Sequence, residues 1–478
     1  MQVQTKHNFL LKKIKSSSPL WVILNQLVSK SLMAIKFFIA ASFLGPEKMG
    51  VVGFLLIIYA ISESLSEFGL IHAVVQSREN PKSNDLDSIW WSLALRGVVL
   101  AFILLLFGYL YPIGSIYQNV FLISAALISS AALLKSLYSP KYYLAQRHKY
   151  FSRIFIFNLV PAIFDLCICI YLLQSGNGLS SIFFALLISE LIKAISSFFI
   201  FGLDSRFFLR FRNIHFNISK YMKFGKWVWL NNCNVLILNQ SDKFLSGVIL
   251  GMEQLGLYQM SSRVSHMATS DIAMAMSNYL FPTLSRMNEG TREAMHKTFC
   301  NYFCYIFIYS FVSATSLILL APIITVLLGE QWSGSIFLLQ ILAVSMAIAA
   351  LITVLVALIK AQGAPKLVAR ASFIQLLVFL PSLTILGYFH GINGVAFSTI
   401  ISHLVCLGML MPACNIPIKE MLAPLRFFII PLLIYLCVYI LCFFISNIFV
   451  TALLVFLNVL SCAITCFYIM VSSDLKRS

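Results

Sequence analysis

Long apolar stretches follow one another along this chain with only a few polar residues between them, and that alternation predicts membrane-crossing helices. Stretches of 18 or more apolar residues read as spans. Fourteen are found, roughly 20–43, 50–75, 88–110, 118–140, 152–173, 180–201, 225–249, 255–281, 298–327, 335–358, 368–389, 392–413, 427–445 and 448–471. Spans 2, 4 and 8 carry polar residues, and the count falls to twelve if two spans pair as broken or interfacial segments. The expected fold is all-α and polytopic, with about 14 transmembrane helices.

The pattern also repeats. Leu44-Gly45-Pro46-Glu47-Lys48-Met49-Gly50 recurs as Leu250-Gly251-Met252-Glu253-Gln254-Leu255-Gly256 at an offset of 206. Ala145-Gln146 before a basic turn recurs as Ala361-Gln362, and Gly178-Leu179 with Ile182, Phe184 and Ile188-Ser189 recurs as Gly391-Ile392 with Val395, Phe397 and Ile401-Ser402. Three matches in order at nearly one offset indicate a duplicated lobe. The expected organisation is a basic arm (1–19), a six-helix lobe (20–201), a linker (202–224), a second six-helix lobe (225–414) and two appended helices with a tail (415–478). Six spans is an even number, so the lobes form a parallel repeat about an axis normal to the membrane. Two such lobes are a common frame for alternating access to a site between them.

Only 11% of residues are charged and 60% are hydrophobic, against roughly 25% charged in soluble proteins. The net charge of +17 suggests nucleic acid until the loops are compared. The N-terminal arm holds four Lys or Arg, alternate loops hold two, four, six, three, three and two, and the C-terminus holds two. The intervening loops hold one, Lys48. That alternation is the positive-inside rule, with both termini cytoplasmic, and no nucleic-acid partner is expected. The arm, where Phe9, Leu10, Leu11 and Ile14 alternate with lysines, reads as an amphipathic segment along the membrane. The first span has no short apolar region with a cleavage site and reads as a retained helix. The eleven cysteines form no CxxC motif and no Cys/His cluster, so no metal and no cofactor is expected and they read as small buried hydrophobes.

Charge inside a bilayer costs about 2.5–3.5 kcal/mol per residue on the insertion scale, so its placement is informative. Lys30 and Lys36 lie in span 1, Glu63 and Glu67 in span 2, Arg96 in span 3, Asp165 in span 5, and Glu190 and Lys193 in span 6. Asp242 and Lys243 lie in span 7, Arg263 and Asp271 in span 8, and spans 9 to 14 carry no deep charge. Helical spacing gathers Gln26, Ser29, Lys30 and Met33 on one stripe, Tyr59, Glu63 and Glu67 on another, and Gln259, Arg263, His266 and Ser270 on a third. Span 7 is rich in amides (Asn231, Asn232, Asn234, Asn239 and Gln240) ahead of Asp242 and Lys243. Lys30 and Lys243, with Glu63 and Arg263, are expected to face one another across a central cavity.

Each charge also has a structural reading. Glu190 and Lys193 form a self-neutralising i, i+3 pair. Asp165 pairs with a neighbouring cation, Lys36 reaches a headgroup, and Lys135, near the end of span 4, snorkels. Asp242 and Lys243 either pair with other helices or supply two cavity groups. Glu63 and Glu67 either bind a coupling proton or cation, since two near carboxylates raise one pKa, or neutralise Lys30 or Arg96. His72, His266 and His403 read as helix contacts, with a proton relay through His266 as the alternative. Lys30, Arg96 and Arg263 share one sign near mid-membrane, which suggests an anionic substrate, because a guanidinium fork matches phosphate oxygens. The tracts Ala371–Phe389 and Leu425–Met470 are either lipid-facing packing or a groove for an isoprenoid tail.

The run Ser62-Glu63-Ser64-Leu65-Ser66-Glu67-Phe68-Gly69-Leu70, followed by Val74-Val75-Gln76-Ser77-Arg78, resembles the second-helix signature of Wzx-type polysaccharide repeat-unit flippases. That family lies in the multidrug/oligosaccharidyl-lipid/polysaccharide (MOP) exporter superfamily, alongside MATE antiporters and lipid II flippases. Phe224-Gly225-Lys226-Trp227, Asn239-Gln240-Ser241-Asp242-Lys243, Leu255-Gly256-Leu257-Tyr258, Leu280-Phe281-Pro282-Thr283-Leu284-Ser285 and Gly329-Glu330-Gln331-Trp332 extend the resemblance over about 20–415. The resemblance implies a bacterial inner-membrane flippase, not an enzyme, for undecaprenyl-pyrophosphate-linked oligosaccharide in O-antigen, capsule or exopolysaccharide synthesis. It implies a MATE-like fold, a cationic cavity with substrate contacts at Lys30, Arg96, Lys243, Arg263, Gln26 and Asn239, and ion coupling at Glu63, Glu67 or Asp242. Membrane lipid, a polysaccharide polymerase and a chain-length regulator are the implied partners. Two alternatives stand beside it. A MATE-like drug antiporter calls for an acidic, aromatic cavity, and a membrane glycan polymerase or ligase calls for a large charged outer loop.

Overall fold

Helix is the obligatory conformation for a lone apolar segment in lipid, because it satisfies every backbone group internally. The computed structural model of this chain describes residues 19–67, 83–111, 118–139, 141–148, 150–202, 219–287 and 292–422. The basic arm, linker residues 203–218, the Phe68–Arg78 stretch with His72, and spans 13 and 14 lie outside the described residues. Among the described residues all regular structure is helical, and the fold is that of an all-α polytopic membrane protein. Among the described residues eight helices are long and apolar enough to cross a membrane, and two of them, Leu24–Ser66 and Pro365–Ala413, are long enough to do so twice. Together with the more polar helices of spans 7 and 8, they account for the first twelve expected spans.

In chain order the first elements are α1 (Pro19–Ser66), α2 (Ser83–Leu110), α3 (Gln118–Ser136), the short α4 (Tyr142–Arg147), α5 (Phe151–Gln174) and α6 (Ser180–Phe201). Next come α7 (Ser219–Leu245, with a π-turn at Ser246–Leu250), α8 (Met252–Ser265, with a π-turn at His266–Ser270) and α9 (Asp271–Met287). The remainder are α10 (Arg292–Leu328), α11 (Ser335–Ala361), α12 (Pro365–Ala413) and α13 (Ile418–Leu422). Two boundaries depart from the sequence reading. Span 2 ends as a helix at Ser66, and span 8 is not one continuous α-helix but is interrupted by a π-turn.

The hairpins between paired spans are made by glycine. Span 1 passes into span 2 at Gly45 (φ 76°, ψ 173°), and α7 passes into α8 at Gly251 (φ 93°, ψ 171°). The repeated Leu-Gly motif therefore has the same backbone geometry at both sites. The second repeated glycine behaves similarly: Gly178 sits at φ 61° and Gly391, which breaks α12 into two arms, at φ 59°. An L side chain is strained in this region, so the motif keeps glycine while its neighbours vary.

The chain forms two compact units, Met1–Gln240 and Ser241–Ser478. In the first, α1 packs on α5, α5 on α6, α6 on α3 and α3 on α2, and α2 returns to α1. The α2–α3 contact is close because two glycines face small side chains; a Cβ at Gly97 would lie 1.9 Å from Ser136 Oγ, and one at Gly108 2.3 Å from Ala125 Cβ. Small residues of this kind let helices approach where no hydrophobic driving force separates lipid from protein. In the second unit α11 is central and packs on α8, α9, α10 and α12. Its core holds Phe299, Phe303, Ala350, Leu355 and Leu358, and α13 docks on α10 through fully buried Met421, whose carbonyl accepts from Cys304 Sγ at 3.0 Å.

A Cβ added at Gly251 or Gly391 meets nothing within 4 Å, so the strain of alanine there is conformational only. Gly251→Ala and Gly391→Ala are each expected to destabilise by about 1–2 kcal/mol, whereas Gly408→Ala, also in open space, should be neutral or stabilising by about 0.5–1 kcal/mol because it lies within a helix. Thermal unfolding of the purified protein in detergent checks the contrast; equal midpoints for all three would show that the turn glycines are dispensable.

Candidate functional site

In the first unit the charged side chains find one another across helices far apart in sequence. Lys36 Nζ lies 2.6 Å from Asp165 Oδ1 and 3.5 Å from the Ile182 carbonyl, with side-chain exposures of 13% and 21% for the two charged partners. Asp165 thus has the cation expected for it. Lys36 does not reach a headgroup, because the carboxylate of α5 holds it within the bundle. Lys193 and Glu190 form the expected i, i+3 pair at 2.7 Å, and the Tyr138 hydroxyl donates to the second Glu190 oxygen. Tyr138 is itself fixed by the Trp90 indole, which donates to its carbonyl at 2.8 Å.

Glu63 is engaged elsewhere than the sequence suggested. Its Oε1 lies 2.5 Å from Lys135 Nζ, so its side chain neutralises neither Lys30 nor Arg96. Lys135 does not simply snorkel, since its ammonium also sits 3.4 Å from the Tyr59 hydroxyl and 5.7 Å from that ring's centre. Tyr59 and Glu63 share the helical face read from their spacing, and Lys135 marks it. Arg96 approaches the same turn from α2, donating from Nη2 to the Glu63 carbonyl and from Nε to Ser66 Oγ, both at 3.0 Å. The Trp229 indole donates to the Leu65 carbonyl at 2.8 Å. The last carbonyls of a helix lack intrahelical partners and carry its negative dipole end, and here an Arg and a Trp satisfy them. Glu67, the first residue past that helix, donates its backbone N–H to the Ser64 carbonyl at 3.4 Å.

Along α1, Gln26, Lys30 and Met33 are exposed while Ala34 is buried, so the expected stripe is one open face. Asn239 is likewise exposed on α7.

The second unit concentrates its polar groups on α7 and α8. Asp242 is only 8% exposed; its Oδ2 accepts from the fully buried Tyr258 hydroxyl at 2.7 Å, and its Oδ1 is enclosed with no hydrogen-bond partner. His266 lies within the electrostatic reach of Lys243, Asp271, His403 and Arg263, and Arg263 within that of Asp271. The α8 stripe of Gln259, Arg263, His266 and Ser270 is uniformly half-buried, although the π-turn adds a residue to the register after Arg263. That turn is pinned by α10, because Tyr309 and Ser313 both donate to the Ala268 carbonyl and Thr269 bonds Ser313 at 2.9 Å. His266 Nδ1 meets Ser270 Oγ at 2.9 Å, while His403 Nδ1 meets Ser345 Oγ at 2.9 Å, which also reaches Thr399. The arrangement is a polar patch with two cations on the more polar helices of the second unit. Among the described residues no group of three His, Cys, Asp or Glu side chains could hold a metal ion.

Comparison with known proteins follows from this architecture. A family model described as polysaccharide biosynthesis protein matches residues 39–337. An uncharacterized membrane protein in the cps region of Klebsiella pneumoniae is 24% identical over 404 residues, spanning 82% of this chain and 80% of its own length. The lipopolysaccharide biosynthesis protein WzxC of Escherichia coli K12 is 20% identical over 401 residues, spanning 83% and 80%. Among solved structures, the lipid II flippase MurJ in an inward closed conformation superposes with a TM-score of 0.68 at 16% identity, covering 95% of this chain and 100% of that one. An inward-facing multidrug resistance MATE family transporter of the MOP superfamily gives 0.65 at 12% identity, covering 82% and 98%. Identities this low establish a shared fold.

The Lys36–Asp165 pair yields a stability test. Lys36→Met or Asp165→Leu alone is expected to destabilise by on the order of 3 kcal/mol, because each leaves one charge uncompensated, while the double variant should recover most of the loss. A double-mutant cycle by thermal unfolding in detergent reads this coupling; additive losses would mean that the two side chains do not support one another.

Proposed function

The chain belongs to the polysaccharide biosynthesis protein family, and from that membership we propose that it is a flippase carrying undecaprenyl-pyrophosphate-linked oligosaccharide across the bacterial inner membrane. The observation that carries this reading is the presence of two half-buried cations, Lys243 and Arg263, on membrane helices of the second unit. Both act electrostatically on His266, with Asp271 as the opposing charge on Arg263. Placing cations there is costly, and a phosphate-bearing headgroup is the ligand that uses them, Arg as a fork and Lys as a point charge. Lys30, Arg96, Gln26 and Asn239 complete the set of proposed contacts lining a cationic cavity. The fold it shares with the lipid II flippase MurJ supports a lipid-linked cargo, with the sugar in the cavity and the tail left in the bilayer.

The mechanism we propose is alternating access by two parallel six-helix repeats. Coupling to a proton or cation gradient falls on Glu63, Glu67 or Asp242. Asp242 is the best placed of the three, because one of its buried oxygens has only a neutral phenol beside it and the other is unpartnered; a bound cation or proton removes that charge penalty. A drug antiporter, the reading suggested by the MATE likeness, calls for an acidic cavity and is disfavoured by Lys243 and Arg263.

Lys243→Ala and Arg263→Ala, and likewise Lys30→Ala and Arg96→Ala, are expected to abolish surface polysaccharide while the protein remains in the membrane, measured by polysaccharide extraction beside a membrane immunoblot. Normal polysaccharide in all four variants would remove these cations from the transport path. Reporter fusions address the orientation: an enzyme active only outside the cytoplasm should report at Gly178 and stay silent in the 203–218 linker, and the reverse pattern would invert the topology.

A further inference from the structure

The Lys135–Glu63 pair differs from the Lys36–Asp165 and Lys193–Glu190 pairs of its unit. Lys36 and Asp165 are 13% and 21% exposed and Lys193 and Glu190 22% and 8%, whereas Lys135 is 45% and Glu63 25% exposed. This is an ion pair with an open side. Around it stand the Tyr59 hydroxyl, 3.4 Å from the ammonium, and Arg96, whose guanidinium lies on the same helical turn through the Glu63 carbonyl and Ser66. One carboxylate therefore rests on a lysine, beside an arginine and a phenol, in a partly open position. Remove that carboxylate and a point charge and a hydroxyl donor face the space it leaves, with the Glu190 carboxylate also acting on Lys135 and the Arg96 guanidinium held at the same turn by the Glu63 carbonyl and Ser66.

We propose that Glu63 is a resident counter-ion in a phosphate-binding cradle, and that the pyrophosphate of the cargo displaces it from Lys135. The inference rests on the reading of the cargo as pyrophosphate-linked. In the empty protein the carboxylate keeps the ammonium compensated, as a charge within the membrane requires. When phosphate arrives, Lys135 passes from one anion to another, and the released Glu63 carboxylate, 25% exposed, turns to the open side of the pair. Lys135 becomes a substrate contact that the sequence did not single out, because its position at the end of a span matches a snorkelling lysine.

The test uses the purified full-length protein in detergent, with inorganic pyrophosphate and farnesyl pyrophosphate as probes and calorimetry as the readout. Glu63→Gln should tighten both probes about fivefold, the gain expected from releasing one partly exposed ion pair. Lys135→Met should lose binding, Lys135→Arg should keep it, and the double variant Glu63→Gln/Lys135→Met should show no gain; a monodisperse elution profile secures the fold of each. Unchanged affinity in Glu63→Gln, a gain that survives in the double variant, a response confined to free pyrophosphate, or no binding by any form overturns the exchange. Those failures leave the flippase reading to its own test in cells, where normal surface polysaccharide after deletion of the gene would end that reading without touching a positive calorimetric result.

Discussion

Charge within the membrane is the constraint that organises this protein. A lone Lys or Asp at mid-span is strongly disfavoured, so each charge in the first unit that can be followed ends on a partner from another helix or another turn. Lys36 ties α1 to α5, Lys135 ties α3 to the far end of α1, and Glu190 gathers Lys193 and Tyr138. Arg96 closes the open carbonyl end of span 2. These links are directional and fix helix register at defined depths, which the interchangeable apolar contacts of a membrane bundle do only weakly.

The second unit meets the same constraint differently. Its central helix, α11, is apolar and packs on four neighbours, so apolar contacts join α8 to α12. Polar groups are concentrated on α7 and α8 and on a chain of hydroxyls and imidazoles through Ser345, Thr399 and His403. Among the described residues the two π-turns lie on α7 and α8. A π-turn loosens the helical ladder and frees a carbonyl, and such turns are often found at functional sites; here Tyr309 and Ser313 take up the carbonyl that the second one releases.

The duplication shows how far backbone and chemistry diverge. Gly45 and Gly251 hold nearly identical dihedrals, so the hairpin was kept because only glycine enters that conformation without strain. At the same offset of 206, Lys36 in one repeat stands where Asp242 stands in the other. Opposite charges occupy equivalent positions, and each is answered locally, Lys36 by a carboxylate and Asp242 by a phenol. One frame thus carries different polar contents.

Span positions, the all-helical class, the turn glycines and the Glu190–Lys193 pair were legible in the sequence, since each depends on local composition or on spacing within one helix. Of the stripe Tyr59, Glu63 and Glu67, the first two share a helical face for the same reason, while Glu67 falls past the end of the helix. The partners of Lys36, Glu63 and Arg96 were not legible: they lie 129, 72 and about 30 residues away, and no local period encodes a contact between separate helices. The end of span 2 at Ser66 and the π-turn in α8 were also hidden, because hydropathy registers apolar length and is blind to where a hydrogen-bond ladder stops or slips. Sequence alone determined that the chain is a bundle of membrane helices and in which of them charge is placed. Which charges meet, and which keep an open side, only tertiary packing decided, because helix register and neighbour choice are settled by side chains fitting across helices.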